Sequence, residues 1–156
     1  MKPAAFIALV APAAQASAAA SGVPASFTVA QAALESSWGE SQLTQQARNP
    51  FGVKADKSWQ GEVWLRNTRE FLNGAWVMVP ARWRKYPDWQ ACLDDHAAFL
   101  RKNRRYASCF AHKDGEAFAR AVAAAGYATD PDYADKLVAV MRRHRLSRLD
   151  SVESAA

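Results

Sequence analysis

The sequence predicts an α+β fold in which a mainly helical lobe and a small β-hairpin lobe enclose a cleft. Three observations support this prediction. The first third of the chain repeats its apolar residues at helical spacing. Residues 59–86 are rich in aromatic and β-branched side chains around an Asn73-Gly74 pair. After Tyr86-Pro87 the helical spacing returns and continues to about His144.

Two helices are expected before Gly39, over residues 3–20 and 25–38. The first is rich in alanine and leads into Gly22-Val23-Pro24, which places a proline near the first turn of the second helix. Gly39 suits the left-handed residue that ends a helix. An apolar stripe on the second helix consists of Phe27, Ala30, Leu34 and Trp38.

Residues 1–20 also resemble a weak secretory signal peptide, since one lysine precedes a short apolar run and small residues. Pro3 and Pro12 bracket the apolar run and keep it short. We therefore expect the segment to be retained as part of the fold, with a cleaved signal and secretion as the alternative. We expect no run of the roughly 18 apolar residues that a membrane span requires, and hence no stable membrane insertion.

The middle of the chain predicts an irregular segment followed by a hairpin. The segment covers residues 43–56, and the two arms are Trp59–Phe71 and Trp76–Tyr86. Asn-Gly is a strong signal for a two-residue turn because both central positions require positive φ. Pro80 in the second arm indicates a sheet edge or a bulge.

Three further helices are expected after the hairpin. Asp88 and Asp114 can cap the first two, and Thr129-Asp130-Pro131 opens the last, which carries Tyr133 and His144. A chain of 156 residues suits one domain with a sizeable core. We place that single domain at residues 1–148 and expect 149–156 to be a loose tail.

Composition and charge restrict the function. Half of the residues are apolar, the net charge is +5 and the pI is about 9.5, which favours an anionic partner: nucleic acid, acidic lipid or a cell-wall polymer. The basic runs 101–105 and 142–145 lack interleaved aromatic residues, so we expect solvated helix ends and no nucleic-acid contact. Cys92 and Cys109 are expected to be free and buried. No metal or other cofactor is expected, since the three histidines lack partners at ligand spacing.

Two carboxyl groups are candidates for acid–base chemistry across a cleft, as in glycoside hydrolysis. Glu35 lies in the final turn of its helix, near Trp38, where the helix dipole and an apolar ring favour the protonated carboxyl of a general acid. Glu70, in the first arm of the hairpin, is the second candidate, and Glu62 is the weaker choice. The alternative for each is a solvated or ion-paired surface carboxylate.

Six tryptophans in 156 residues are enough to suggest sugar contacts, since sugars stack their C–H faces on indoles. Most tryptophans pack in protein cores, so we expect only one or two to touch a substrate. Trp64 shares a strand face with Thr68 and Glu70 and is one candidate.

Several segments together resemble the N-acetylglucosaminidases of glycoside hydrolase family 73, which include flagellar rod-assembly peptidoglycan hydrolases and phage endolysins. They follow the family's order and spacing from about residue 5 to 145. The segments are Gly22-Val-Pro24, Ala30-Gln-Ala-Ala-Leu-Glu-Ser-Ser-Trp-Gly39, Asn49-Pro-Phe-Gly-Val-Lys54, Thr68-Arg-Glu70, Phe99-Leu-Arg-Lys-Asn-Arg-Arg-Tyr106 and Ala125-Gly-Tyr-Ala-Thr-Asp-Pro-Asp-Tyr-Ala-Asp-Lys-Leu137.

The resemblance implies a lysozyme-like fold and cleavage of the β-1,4 bond after N-acetylglucosamine in peptidoglycan. A monomer is expected as the default for a small hydrolase. It implies Glu35 as the catalytic acid, Glu70 as the second carboxylate and Tyr127 at the catalytic centre. Arg69 departs from the threonine typical of the family. Trp38 and Asn49 are expected to shape the surroundings of the acid and, together with Trp64, to bind the substrate.

The resemblance leaves three classes of function open. We expect a phage or prophage endolysin, made in the host cytoplasm without a cleaved signal and acting on the wall after release. A muramidase or lytic transglycosylase on the same scaffold is the alternative enzyme. A catalytically silent wall-binding module is the third reading.

Overall fold

A computed structural model describes residues 1–150, and the predicted α+β architecture is confirmed. A helical lobe carries one long antiparallel hairpin. The helices are α1 (Pro3–Ser21), α2 (Ala25–Ser36), α3 (Gln42–Ala47), α4 (Trp89–Lys102), α5 (Gly115–Ala124) and α6 (Tyr133–Arg143), the strands are β1 (Glu62–Leu72) and β2 (Ala75–Lys85), and two 3₁₀ helices cover Arg104–Ala111 and Leu146–Asp150.

Helix α2 is the centre of the helical lobe. Every residue from Ala25 to Ala33 is buried, and α1, α5 and α6 pack around the helix. Its small side chains let these neighbours approach closely, and Phe27 meets Phe118 of α5 edge to face at 4.9 Å. The sequence predicted one apolar stripe, whereas the helix is enclosed on almost all sides.

The end of α2 differs from the prediction. The helix stops at Ser36, because Ser37, Trp38 and Gly39 all have positive φ, at 52°, 57° and 82°. The hydroxyl of Ser36 accepts a hydrogen bond from the Gly39 amide at 2.9 Å and donates to the Ala32 carbonyl at 2.6 Å. The Ser36 hydroxyl thereby pairs the Gly39 amide, which another helical turn would have paired.

The hairpin is formed as predicted around Asn73-Gly74, where φ is 52° and 80°. The register runs from Glu62 opposite Lys85 to Leu72 opposite Ala75. The first strand begins three positions later than expected, because the indole of Trp59 folds back and donates to the Glu62 carbonyl at 2.8 Å.

Residues 43–56, expected to be irregular, begin with the short helix α3. Its start is capped by Ser41, whose hydroxyl accepts a hydrogen bond from the Thr44 amide at 3.2 Å. A serine at this position satisfies one of the unpaired amides of a helix start. The prediction overlooked this cap.

Helix α1 packs on α2 and α4 and buries Phe6 and Val10 completely. It has 19 residues and a mean hydropathy of 1.5, so by length and composition it could cross a membrane. The expectation that no segment reaches this length was wrong, because the alanines raise the average although few large apolar residues are present.

The two cysteines are free and buried, as predicted. The tail expected from residue 149 is ordered at its start, because Leu149 is buried and the Asp150 carboxylate accepts hydrogen bonds from the amide and hydroxyl of Ser26 at 3.0 and 2.5 Å. The remainder of that predicted tail, 151–156, lies outside the described residues.

Candidate active site

A cavity of about 580 Å³ opens beside the C-terminal end of α2. The loop 51–53, the end of β2, one face of α4, the first 3₁₀ helix and the segment before α6 form its walls. The side chains that matter for chemistry in these walls are Glu35, Arg84, Asp95, His96, Tyr106 and Tyr127.

Glu35 is exposed in the last turn of α2, and one of its carboxylate oxygens contacts the phenol of Tyr133. The Tyr133 hydroxyl donates a hydrogen bond to Glu35 Oε1 at 2.7 Å. Tyr127 stacks parallel to Tyr133, with ring centroids 5.8 Å apart. The predicted acid therefore lies in the cavity, next to the tyrosine that the sequence also selected.

Two further buried side chains extend this contact into the core. Gln31 Nε2 donates to the Tyr133 oxygen at 2.9 Å, and Gln31 Oε1 lies 2.7 Å from His96 Nε2. The His96 ring stacks on Phe51 at 3.8 Å, so an aromatic ring of the cavity wall covers it. These contacts hold the α2, α4 and α6 sides of the site in one arrangement.

The two tyrosines and the histidine of this group are neutral at ordinary pH. Burial raises the pKa of both Tyr133 and Tyr127, and the nearby Glu35 charge acts in the same direction. Burial lowers the pKa of His96 to about 3, although the neighbouring Asp95 opposes the shift. Both phenols therefore keep their protons, and the imidazole is uncharged.

Asp95 is the other carboxylate in the cavity wall, and it is already engaged. Arg84 Nη1 lies 2.8 Å from Asp95 Oδ2, and the Tyr86 hydroxyl donates to the same oxygen at 2.5 Å. This group links the end of β2 to α4. We assign it a structural role.

Glu70 lies on β1, outside the lining of this cavity. Its carboxylate is 3.6 Å from Lys54 Nζ, and Lys54 directly follows the cavity loop. Trp64 and Thr68 occupy the same strand face, as the two-residue alternation predicts. Trp64 is also outside the cavity lining, with the Arg66 guanidinium 5.5 Å from its ring.

Asn49, expected near the acid, is completely buried and has a structural role. Its amide nitrogen donates to the carbonyls of Val53 and Arg84, and its oxygen accepts from the Val53 amide, each at 2.9 Å. All three bonds join the loop 49–54 to itself or to β2. The side chain is therefore not available to a substrate, and the prediction of direct substrate binding was wrong.

Trp38 does not line the cavity. Its indole packs edge to face against Phe6 at 5.7 Å and His144 at 4.9 Å, between α1 and the end of α6. The positive φ angles after Ser36 turn the chain in this direction. The aromatic residue next to Glu35 is therefore Tyr133, in place of the predicted Trp38.

Three residues of the site were missed: Gln31, His96 and Tyr133. Gln31 is four residues before Glu35, a spacing that puts both on one helix face. Tyr133 stood within the quoted Ala125–Leu137 segment but was assigned to a core stripe. His96 gave no local signal, because its partner is 65 residues away.

Comparisons with known proteins show the family and the fold. The glucosaminidase family, described as mannosyl-glycoprotein endo-beta-N-acetylglucosaminidase, matches residues 11–146. Peptidoglycan hydrolase FlgJ of Vibrio parahaemolyticus is 40% identical over 146 residues, 90% of this chain and 47% of that protein. Exo-glucosaminidase LytG of Bacillus subtilis is 38% identical over 132 residues, which cover 81% of this chain and 46% of that protein. A solved glycoside hydrolase domain of Salmonella typhimurium FlgJ superposes with a TM-score of 0.81 at 38% identity, covering 92% of this chain and 98% of that domain.

The fold and the matched segment define a glycoside hydrolase with a lysozyme-like architecture. The chain spans about half the length of the curated relatives it matches. It belongs to the glucosaminidase family, glycoside hydrolase family 73.

Proposed function

We propose that this chain is a peptidoglycan hydrolase that cleaves the β-1,4 bond after N-acetylglucosamine, with Glu35 as the general acid. The observation that carries the proposal is the exposed Glu35 carboxyl at the cavity, which accepts a hydrogen bond from Tyr133 at Oε1 and makes none at Oε2 with residues 1–150. A general acid must reach the leaving oxygen while its partners hold it in position.

The second carboxylate in this proposal is Glu70. It activates the attacking water or supports the substrate's own acetamido group as an internal nucleophile. Its ion pair with Lys54 ties the hairpin to the loop that forms one cavity wall. Because Glu70 lies outside the cavity lining, the proposal requires the hairpin to close over a bound glycan, and Tyr127 to hydrogen-bond near the reacting sugar.

The decisive experiment is mass spectrometry of borohydride-reduced fragments from digested cell walls. New N-acetylglucosamine reducing ends are expected. Reducing-end N-acetylmuramic acid would instead identify a muramidase, and 1,6-anhydro ends a lytic transglycosylase. Binding to walls without any fragment would identify a silent module. Products that are only single sugars from chain ends would indicate exo rather than endo cleavage.

Glu35→Gln is the matched variant, since it keeps the shape of the side chain and removes the transferable proton. We expect no wall lysis above background and an unchanged circular dichroism spectrum. Lysis at the wild-type rate would refute the assignment of the acid.

We propose that α1 remains in the working enzyme, because cleavage after it would remove Phe6 and Val10 from the core. Intact mass of the protein recovered from its host tests this, and a mass lacking the first 20 or so residues would contradict it. The role as a phage endolysin, the cytoplasmic synthesis and the monomeric state stay predictions. The endolysin role and the cytoplasmic synthesis are tested together by whether lysis requires a membrane-permeabilising partner, and light scattering of the purified protein tests the monomeric state.

A further inference from the structure

Four side chains form a continuous hydrogen-bonded series from the core to the cavity. The series runs from His96 through Gln31 and Tyr133 to Glu35, with successive distances of 2.7, 2.9 and 2.7 Å. Gln31 is fully buried, and His96 and Tyr133 are 4% and 6% exposed. Of the four, Glu35 is the exposed member, and His96 contributes to the cavity wall from the other end of the series.

The donors and acceptors in this series fix where the hydrogens lie. The Gln31 nitrogen donates to Tyr133, so its carbonyl oxygen faces His96 and can only accept. The neutral His96 must then carry its hydrogen on Nε2. The Tyr133 hydroxyl accepts from Gln31 and donates its single hydrogen to Glu35 Oε1.

We propose that Gln31 and His96 are positioning residues that hold Tyr133 as a donor to Glu35 Oε1, so that the proton delivered to the glycosidic oxygen resides on Oε2. This inference rests on the proposed role of Glu35 as the acid. Tyr133 itself keeps its proton throughout. Oε2 gives its proton to the glycosidic oxygen, which leaves as a hydroxyl group as its bond to the sugar carbon breaks. Water or the oxygen of the substrate's acetamido group bonds to that carbon, and Glu35 becomes a carboxylate.

The benefit to catalysis comes from the change of charge. A phenol that donates to a carboxylate binds it more strongly than it binds the neutral acid, because one partner is then ionised. The hydrogen bond from Tyr133 therefore strengthens as the proton is transferred, which favours the transition state. A phenol free to rotate would instead accept the proton of Glu35 and stabilise the form before transfer.

Other ionisable groups around the cavity also affect the pH dependence of Glu35. The charged ones belong to β2 and α4, and the phenols to the segments on either side of α5. These groups are Arg84, Asp95, Lys102, Tyr106 and Tyr127. All of them are retained in the variants below, so they cancel in the comparison.

The test compares the pH profiles of kcat/KM on soluble peptidoglycan for Gln31→Met, Tyr133→Phe and the double variant. Loss of the donor leaves the carboxylate less stable, so the acid keeps its proton to higher pH. We expect the alkaline limb of Tyr133→Phe to move to higher pH and the rate to fall roughly 10- to 100-fold, the usual range for a hydrogen bond to a charged group. Gln31→Met should give a smaller change in the same direction.

The double variant distinguishes positioning from packing. If Gln31 acts only through Tyr133, the double variant should match Tyr133→Phe alone. Additive losses, or an unmoved alkaline limb in Gln31→Met, would overturn the inference. Thr28→Val, a buried isosteric change on the same helix, is the control and should keep the wild-type profile.

A second variant covers the case in which Gln31→Met does not fold. His96→Phe removes the donor to Gln31 and keeps an aromatic ring against Phe51, and it should shift the alkaline limb as Gln31→Met does. If Glu35→Gln is inactive while both positioning variants keep the wild-type profile, only this inference fails. If Glu35→Gln remains active, both the proposed function and this inference fail.

Discussion

Asn49→Ala separates a structural role from a substrate-binding role for this amide. The native side chain makes three buried hydrogen bonds of 2.9 Å that hold the loop 49–54 on β2. At about 1 kcal/mol net for each bond, the variant should lose about 3 kcal/mol of unfolding free energy. For a chain of this size that corresponds to a melting temperature lower by about 10 °C.

Urea unfolding followed by tryptophan fluorescence measures this loss, and a turbidity assay on purified walls measures activity. Asn67→Ala on the exposed part of β1 is the matched control and should stay within about 0.5 kcal/mol of the wild type. A wild-type stability for Asn49→Ala, combined with weaker wall binding, would show that the assignment from burial is wrong and that the amide contacts the glycan.

Three other predictions follow from buried or paired groups. Asp150→Ala should lower the unfolding free energy by about 1–3 kcal/mol, because two hydrogen bonds to α2 are lost. The exposed control Asp132→Ala should leave it unchanged, and equal urea midpoints for the two variants would contradict this prediction. Burial lowers the pKa of His96 from 6.5 to about 3, so between these pH values the imidazole is protonated only in the unfolded chain. The unfolding free energy therefore falls as the pH falls, by about 1.4 kcal/mol per pH unit from this group. His96→Phe should remove that part of the slope in urea titrations from pH 7 to 4, and an unchanged slope would refute the assignment. Lys54→Met should change the unfolding free energy by less than about 0.5 kcal/mol, since its ion pair with Glu70 is exposed. Glu70→Gln should reduce wall hydrolysis much more than Lys54→Met does, and equal activities of the two variants would count against Glu70.

Local sequence signals were sufficient for most of the fold. The Asn73-Gly74 turn could be predicted because two adjacent positive φ angles leave few other residue choices. Asp88 and Asp114 cap α4 and α5 as expected, each through a side-chain oxygen that accepts an amide three residues later. Such signals depend on neighbours in the chain, and the sequence contains those neighbours.

The site required contacts that local patterns do not encode. Glu35 and Tyr127 were found through motifs, but the bond from Tyr133 to Glu35 joins residues 98 positions apart. Trp38 and Asn49 were misjudged for a related reason. Their positions near the acid in sequence were clear, while the direction of each side chain depends on backbone angles and on partners in α1, α6 and β2.

The two buried thiols make local opening of the helical lobe measurable. Cys92 lies on α4 and Cys109 in the 3₁₀ helix that follows, with exposures of 1% and 0%. Burial also raises the pKa of both, so an alkylating reagent reacts only when its segment opens and the thiolate forms. Labelling rates for the two single-cysteine variants, with and without a bound glycan, would then show whether substrate holds α4 and its neighbour closed together or separately.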